Sequence, residues 1–177
     1  DSGSTGVTFT LPASAGTLVT STDVPITLTA TSNIGLGANA LDSITTGDNN
    51  VGLGDSALTT NTTGSYNTAL GDRTLLDNTE GNYNVAAGHE SLYNNTTGDQ
   101  NVAVGMYSLY TSTTAANNTA VGFKALFANT TGANNVAVGS YALDANTTGT
   151  GNVGIGVEAL TIITTGSYNV AVGQSAL

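Results

Sequence analysis

The sequence predicts an all-β protein, a parallel β-solenoid (β-roll) of about nine coils with 17 residues in each coil. Three observations favour it: a 17-residue repeat without insertions or deletions, glycine at fixed places in the repeat, and short runs of alternating β-branched residues. A register kept this strictly indicates stacked coils, because an inserted residue would misalign a coil with both neighbours. Seventeen residues are also too few for the helix pairs of common α-repeats, which need about 30 or more.

The repeat begins at Asn33 and defines coil positions 1 to 17. It reads N-[VIT]-[AG]-[VLIA]-G-x-x-[AST]-L-x-x-x-T-[TE]-[GA]-x-x, with eight complete copies and a ninth that reaches Leu177. We therefore assign residues 33–177 to the solenoid. Residues 1–32 alternate apolar and polar side chains around turns that contain proline and glycine, so we assign them to a short N-terminal β region that caps or connects the solenoid.

Each coil is predicted to contain two short strands. The segment "NVAV" at positions 1–4 has β-branched residues at alternate places, and "ALxxNTT" supplies a second strand, with glycines at both corners. Positions 2, 4 and 9 are expected to point into the core. The core leucine column at position 9 comprises Leu41, Leu58, Leu75, Leu92, Leu109, Leu126, Leu143, Leu160 and Leu177.

The asparagine column at position 1 is predicted to form an amide ladder, in which each side chain bonds its copies in adjacent coils. Its members are Asn33, Asn50, Asn67, Asn84, Asn101, Asn118, Asn135, Asn152 and Asn169. The threonine column at position 13 can form a similar ladder through its hydroxyls.

Position 3 holds only glycine or alanine, and strand alternation points it away from positions 2 and 4. We expect it to face a second chain at close range, as an oligomer interface. The alternative is a thin coil whose two walls meet at this column. The candidate interface comprises Gly35, Gly52, Ala69, Ala86, Ala103, Ala120, Ala137, Gly154 and Ala171.

Composition excludes several function classes. Charged residues make up 8% of the chain and the net charge is −10, with Arg73 and Lys124 as the only permanent cations. Nucleic-acid binding needs cationic groups that displace counterions, so we expect no nucleic-acid partner. No apolar run approaches the ~20 residues of a membrane span. The absence of cysteine excludes disulfides and thiolate metal sites, and the start at Asp1 suggests a processed secreted protein or a fragment.

Aromatic side chains at position 10 of three consecutive coils, Tyr93, Tyr110 and Phe127, form a candidate binding stripe, flanked by Tyr107 and Tyr141. Exposed aromatics commonly contact sugars or flat protein surfaces. The alternative is cross-coil stacking that stabilises the solenoid or fills a chain interface.

Polar candidates are few and each has a plain structural alternative. His89 is the only histidine, and no catalytic constellation is predicted around it. Asp55 and Asp72 share a column in adjacent coils and could hold Ca²⁺, but solvated surface acids are the favoured interpretation; we otherwise expect no cofactor. Arg73 and Glu90 share position 7 in adjacent coils and are predicted to pair. Six N-x-T glycosylation sequons start at Asn61, Asn94, Asn95, Asn117, Asn129 and Asn146.

The repeats "NTALGDRTLLDNTEGNY" and "NTAVGFKALFANTTGAN" resemble those of phage tail-fibre and bacterial surface fibre proteins, whose unit is N-T-A-x-G-x-x-A-L-x-x-N-T-T-G-x-Y. The N-terminal "TFTLPASAGTLVTSTD" is similar to a segment common in phage tail fibres. The coil is loosely similar to the shorter repeats of trimeric autotransporter adhesin heads. The resemblance implies a secreted or virion-associated trimeric fibre without enzymatic activity. Such fibres often carry a C-terminal chaperone domain that is removed after trimerisation.

From these observations we expect a structural, non-enzymatic extracellular fibre segment, on a cell surface or virion, that assembles as a parallel homo-oligomer. Its partners would be copies of itself and cell-surface glycans or a receptor. The alternative is a homopolymeric filament in which subunits stack head to tail and N-terminal strands complete each joint by strand addition. A carbohydrate-degrading solenoid enzyme is disfavoured, because the paired acids of that chemistry have no fixed place in the repeat.

Overall fold

The computed structural model describes residues 32–177 and the backbone of residues 26–28. Most of the predicted N-terminal β region therefore lies outside the described residues.

The described chain is a parallel β-solenoid with one 17-residue coil per turn, which confirms the predicted fold class. The strands are β1 (Ile26–Leu28), β2 (Ile34–Leu36), β3 (Val51–Leu53), β4 (Thr68–Leu70), β5 (Val85–Ala87), β6 (Val102–Val104), β7 (Thr119–Val121), β8 (Val136–Val138), β9 (Val153–Ile155) and β10 (Val170–Val172). Strands β2 to β10 pair in parallel in sequence order, and each residue lies opposite the residue 17 positions further on, as Val102 does opposite Thr119. β1 runs antiparallel to β2 and covers its outer edge.

The predicted second strand is wrong: within residues 32–177 each coil contains one three-residue strand, and positions 6–11 form turns instead. Positive φ angles recur at positions 7, 9 and 17 of every complete coil, as at Tyr107 (61°), Leu109 (50°) and Gln100 (58°). A left-handed conformation costs a leucine roughly 1–2 kcal/mol. The cost is tolerated because this turn points the side chain into the core, where Leu109 is fully buried.

Glycine at position 5 is required by the close approach of adjacent coils. Gly122 has a φ of 137°, and a Cβ built there would lie 2.5 Å from the carbonyl oxygen of Gly139 in the next coil. A larger residue would push the coils apart, so the corner that ends each strand can only be glycine.

The core is a single file of leucines packed against the position 3 column. Leucines from Leu41 to Leu160 are at most 2% exposed, and the position 3 alanines from Ala69 to Ala137 are 0% exposed. Position 8 holds alanine in most coils and Thr74, Ser91 and Ser108 in three consecutive coils, and these three hydroxyls donate to the position 5 glycine carbonyl of their own coil.

The prediction of which strand side chains point into the core is wrong. Positions 2 and 4 face outward, and the candidate oligomer interface at position 3 faces the core of its own chain. A Cβ on Gly52 would lie 3.2 Å from the Ala57 carbonyl oxygen and 3.5 Å from Leu41 Cγ, so the column admits nothing larger than a methyl group. The thin-coil alternative therefore holds. The residues that line the core of their own chain, and not an oligomer interface, are Gly35, Gly52, Ala69, Ala86, Ala103, Ala120, Ala137, Gly154 and Ala171.

The asparagine column at position 1 lies buried beside the strands and forms a ladder. The backbone N–H of Asn101 donates to Asn84 Oδ1 (2.9 Å), and Asn101 Nδ2 donates to the Ala115 carbonyl (2.8 Å). Its Oδ1 then accepts from the backbone nitrogen of Asn118 (3.0 Å). Each asparagine side chain thereby bonds a backbone carbonyl and a backbone N–H in the turns that flank the three-residue strands, where the strand ladder does not reach.

A second amide ladder lies at position 12. Asn78 donates Nδ2 to Asn61 Oδ1 at 2.7 Å, and Asn95 donates to Asn78 at 2.8 Å. Ser112 interrupts the ladder, which leaves the Oδ1 of Asn95 without a partner in the described residues. From the sequence, Asn61 and Asn95 were noted only as sequons, and Asn78 was not singled out.

Candidate functional site

The outward side chains of positions 2 and 4 form a largely apolar surface that follows strands β2 to β10, interrupted only by Thr68 and Thr119, which we call the sheet face. Val104 and Ile155 are each 39% exposed, and Ile34 and Val170 near the ends are 48% and 72% exposed. Nine strands spaced ~4.8 Å apart make this surface about 40 Å long and, at ~10 Å wide, on the order of 400 Å² in area. No described segment covers it. Patches of this size on a single chain are commonly interaction surfaces.

A second surface is built by the turns that follow the strands. It carries Tyr93, Tyr107, Tyr110, Phe123, Phe127 and Tyr141, and we call it the aromatic face. Tyr93, Tyr110 and Phe127 stack across coils, with ring centroids 5.2 Å and 5.4 Å apart and interplanar angles of 24° and 9°. Tyr107 meets Tyr110 edge to face at 5.7 Å. Cross-coil stacking is thus present, and the outer edges of the rings remain at the surface.

A shallow depression of about 350 Å³ opens in the aromatic face, lined by Glu90, Tyr107, Tyr110, Lys124 and Phe127. The Lys124 ammonium lies 5.1 Å from the Phe127 ring centroid and 5.5 Å from that of Phe123, within the range of a cation–π contact. Aromatic rings, one carboxylate and one ammonium therefore surround the same space.

Charged side chains from the preceding coils lie next to the depression. Arg73 donates to Glu90 Oε1 at 3.2 Å, which confirms the predicted pair. His89 Nε2 lies 3.3 Å from Asp72 Oδ2 and 3.7 Å from Glu90 Oε1, and its ring meets Tyr107 edge to face at 5.6 Å. The sequence suggested an isolated histidine, whereas coil stacking brings it into a network with both acids.

Among the groups on this side of the molecule that have shifted pKa values are Tyr110 and Asp77. Burial, followed by the negative charge of Glu90, raises the pKa of the Tyr110 phenol, which keeps it protonated as a hydrogen-bond donor. Burial alone raises the pKa of Asp77, which lies beside the ring stack.

The suggested Ca²⁺ site at Asp55 and Asp72 gains no support from the geometry. Asp55 Oδ1 accepts from the Ala38 backbone nitrogen at 3.1 Å, and Asp72 pairs with His89. Within residues 32–177, no group of three or more His, Asp or Glu side chains is arranged to hold a metal ion.

Four of the six sequon asparagines, Asn61, Asn95, Asn129 and Asn146, are fully buried in the position 12 ladder. Their Nδ2 atoms donate to the backbone of their own coil, as Asn129 does to the Gly132 carbonyl at 2.9 Å. A glycan on Nδ2 would therefore break the ladder.

A further aromatic pair lies at position 17, apart from the aromatic face. Tyr66 and Tyr83 stack with ring centroids 5.0 Å apart and planes 2° from parallel, and both are more than half exposed. The shared column of two tyrosines in consecutive coils was the signal that sequence analysis overlooked.

No family model, curated protein or solved structure matches this chain. Among the described residues there is no helix of the length and hydrophobicity that a membrane crossing requires.

Proposed function

We propose that this chain is a structural, non-enzymatic segment of an extracellular fibre, and that it associates in parallel with copies of itself through the sheet face. The observation that carries the proposal is the sheet face, a largely apolar surface that follows all nine parallel strands β2 to β10. A second copy presents the same surface with the same spacing between strands, so a parallel arrangement matches column to column and closes around an axis. A trimer is the assembly that the fibre resemblance implies.

The rest of the surface supports a fibre rather than a catalyst. Its polar groups are mainly threonine hydroxyls and asparagine amides that are already used in ladders between coils, as in the donation from Thr96 Oγ1 to the Thr113 carbonyl at 3.1 Å. Such ladders stiffen the long axis of the solenoid, and their polar atoms are occupied within the chain.

The mass of the native particle in solution tests the proposal. A parallel oligomer has a mass that is a small multiple of the 17.5 kDa chain. Val104→Glu combined with Ile155→Glu places charges on the sheet face and should produce a folded monomer. Thr97→Glu is the matched control, because position 14 is exposed and already holds Glu80 in a neighbouring coil. A wild-type monomer at micromolar concentration, or an oligomer unchanged by the double substitution, would overturn the proposal.

The head-to-tail filament is the second candidate, and electron micrographs separate the two. Discrete rods fit the lateral assembly, whereas indefinite filaments fit head-to-tail stacking. The antiparallel pairing of β1 with β2 in the same chain favours rods, because it uses within the chain an N-terminal strand that a filament could donate to the next subunit.

A further inference from the structure

Chemically distinctive side chains of this chain collect on the aromatic face. Both permanent cations and the only histidine of the sequence lie there. The sequence has seven tyrosines and three phenylalanines, and six of these ten rings also lie there. All of them fall between residues 73 and 141, in coils three to seven, at positions 6, 7 and 10. The remaining solenoid surface is dominated by small polar and aliphatic residues.

The coil does not need these rings in order to fold. In the first two coils, position 7 holds Asn39 and Ser56, and position 10 holds Asp42 and Thr59, with the same backbone conformation and the same stacking. The repeats thus act as internal controls. They show that the aromatic side chains are additions to a scaffold that forms without them.

The depression offers the complementary groups that a sugar requires. Ring surfaces of Tyr107, Tyr110 and Phe127 can contact the C–H faces of a pyranose, and Glu90 and Lys124 supply an acceptor and a donor for its hydroxyls. Neither phenol hydroxyl of Tyr107 and Tyr110 has a hydrogen-bond partner within residues 32–177, and Lys124 forms no ion pair there. These polar groups are free to bind a ligand.

Charge selects among glycans. One carboxylate and one ammonium line the depression, so its local charge is balanced, whereas the whole chain carries a net charge of −10. A polyanionic glycan would be repelled by that overall field without a compensating basic patch. We propose that the depression bounded by Glu90, Tyr107, Tyr110, Lys124 and Phe127 is a binding site for an uncharged oligosaccharide. The site goes beyond the structural role proposed above and does not depend on it.

The test is an array of uncharged gluco-, galacto- and manno-oligosaccharides with sialylated and sulfated counterparts, followed by titration of the best binder. Tyr107→Ser and Phe127→Thr replace two lining rings with residues that the same columns hold at Ser56 and Thr59, so the coil is preserved. Each should weaken binding roughly tenfold, as the loss of a central aromatic contact does. The matched control is Tyr66→Asn with Tyr83→Asn, which removes the other tyrosine pair and should leave affinity unchanged.

Binding of uncharged glycans that falls in the site variants and persists in the control supports the site. Binding of no glycan, binding of charged glycans alone, or equal losses in site and control variants would overturn it. The particle mass of each variant separates this site from the proposed oligomer. If Tyr107→Ser dissociates the oligomer, the aromatic face is a chain interface and the glycan site is wrong, whereas an intact oligomer that binds no glycan refutes the site alone.

Discussion

The leucine at position 9 combines two features that rarely occur together, full burial and a left-handed backbone. Leu109 is 0% exposed and has a φ of 50°. Replacing it with alanine removes three buried carbons from a core that is one leucine wide, so the cavity has few neighbours that can collapse into it. We expect a loss of about 2–5 kcal/mol in the free energy of unfolding.

Replacing Leu109 with glycine separates the two features. At an ordinary position glycine is about 0.5–1 kcal/mol less stable than alanine. At a left-handed position alanine retains a strain of roughly 1–2 kcal/mol that glycine lacks. Leu109→Gly should therefore be at least as stable as Leu109→Ala, which reverses the usual order.

Guanidinium denaturation followed by circular dichroism measures both variants. Solenoids can unfold in segments, so hydrogen exchange at the amides of Val85 and Thr119, in the coils on either side, should report the local loss. A cost below about 1 kcal/mol for Leu109→Ala would remove the leucine column from the core. A glycine variant about 1 kcal/mol less stable than the alanine variant would contradict the left-handed turn.

Three further predictions concern other columns. Ala103→Leu should overpack the core and lower the free energy of unfolding by about 1–3 kcal/mol, with oligomer mass unchanged where the fold survives; a fully stable variant would contradict the inward direction of position 3. Asn101→Ala leaves the Ala115 carbonyl and the Asn118 amide without their side-chain partner and should cost about 2–5 kcal/mol in chemical denaturation. Burial raises the pKa of Asp77, so the folded chain holds this proton more tightly than the unfolded chain and loses stability as pH rises above the ordinary aspartate pKa. Asp77→Asn should therefore raise the melting temperature at neutral pH, and the gain should vanish below the ordinary aspartate pKa; a gain that is independent of pH would contradict this cause.

The periodic features of the fold were predictable because they are written as identical residues at fixed spacing. The 17-residue coil, the glycine corner at position 5 and the buried leucine at position 9 all follow from columns that never vary. The pairing of Arg73 with Glu90 followed from the same logic, since a shared column places two side chains in adjacent coils.

The direction of the strand was not predictable from alternation alone, because a period of two leaves two equivalent choices. Valine and leucine at positions 2 and 4 suggested the inward side on hydrophobicity. The thickness of the coil decides which side chains face the core. Because Leu109 spans the interior, the strand opposite has room for only a methyl group, as at Ala103. The restriction of position 3 to glycine and alanine was the signal for that thin core.

The prediction of a second strand in each coil was wrong for a different reason. The segment "ALxxNTT" has acceptable strand propensity, and nothing in the identity of Leu109 signals a positive φ, which leucine seldom adopts. Only part of the aromatic face was predictable from the sequence. Its position 10 stripe was visible in the sequence, but the contribution of Phe123 and Lys124 depends on how the turn places positions 6 and 7.

Thiol labelling tests the inward and outward columns together, because the chain has no cysteine of its own. The single thiol of an Ala103→Cys variant should be protected from a water-soluble reagent both in the assembly and in a monomer, which is made here with Leu53→Glu and Ile155→Glu on the sheet face because Val104 is itself to be labelled. The thiol of a Val104→Cys variant should be protected in the assembly and reactive in that monomer. A reactive thiol at position 103, or a thiol at position 104 that reacts equally in both states, would contradict an inward alanine column and a sheet face covered by a second copy.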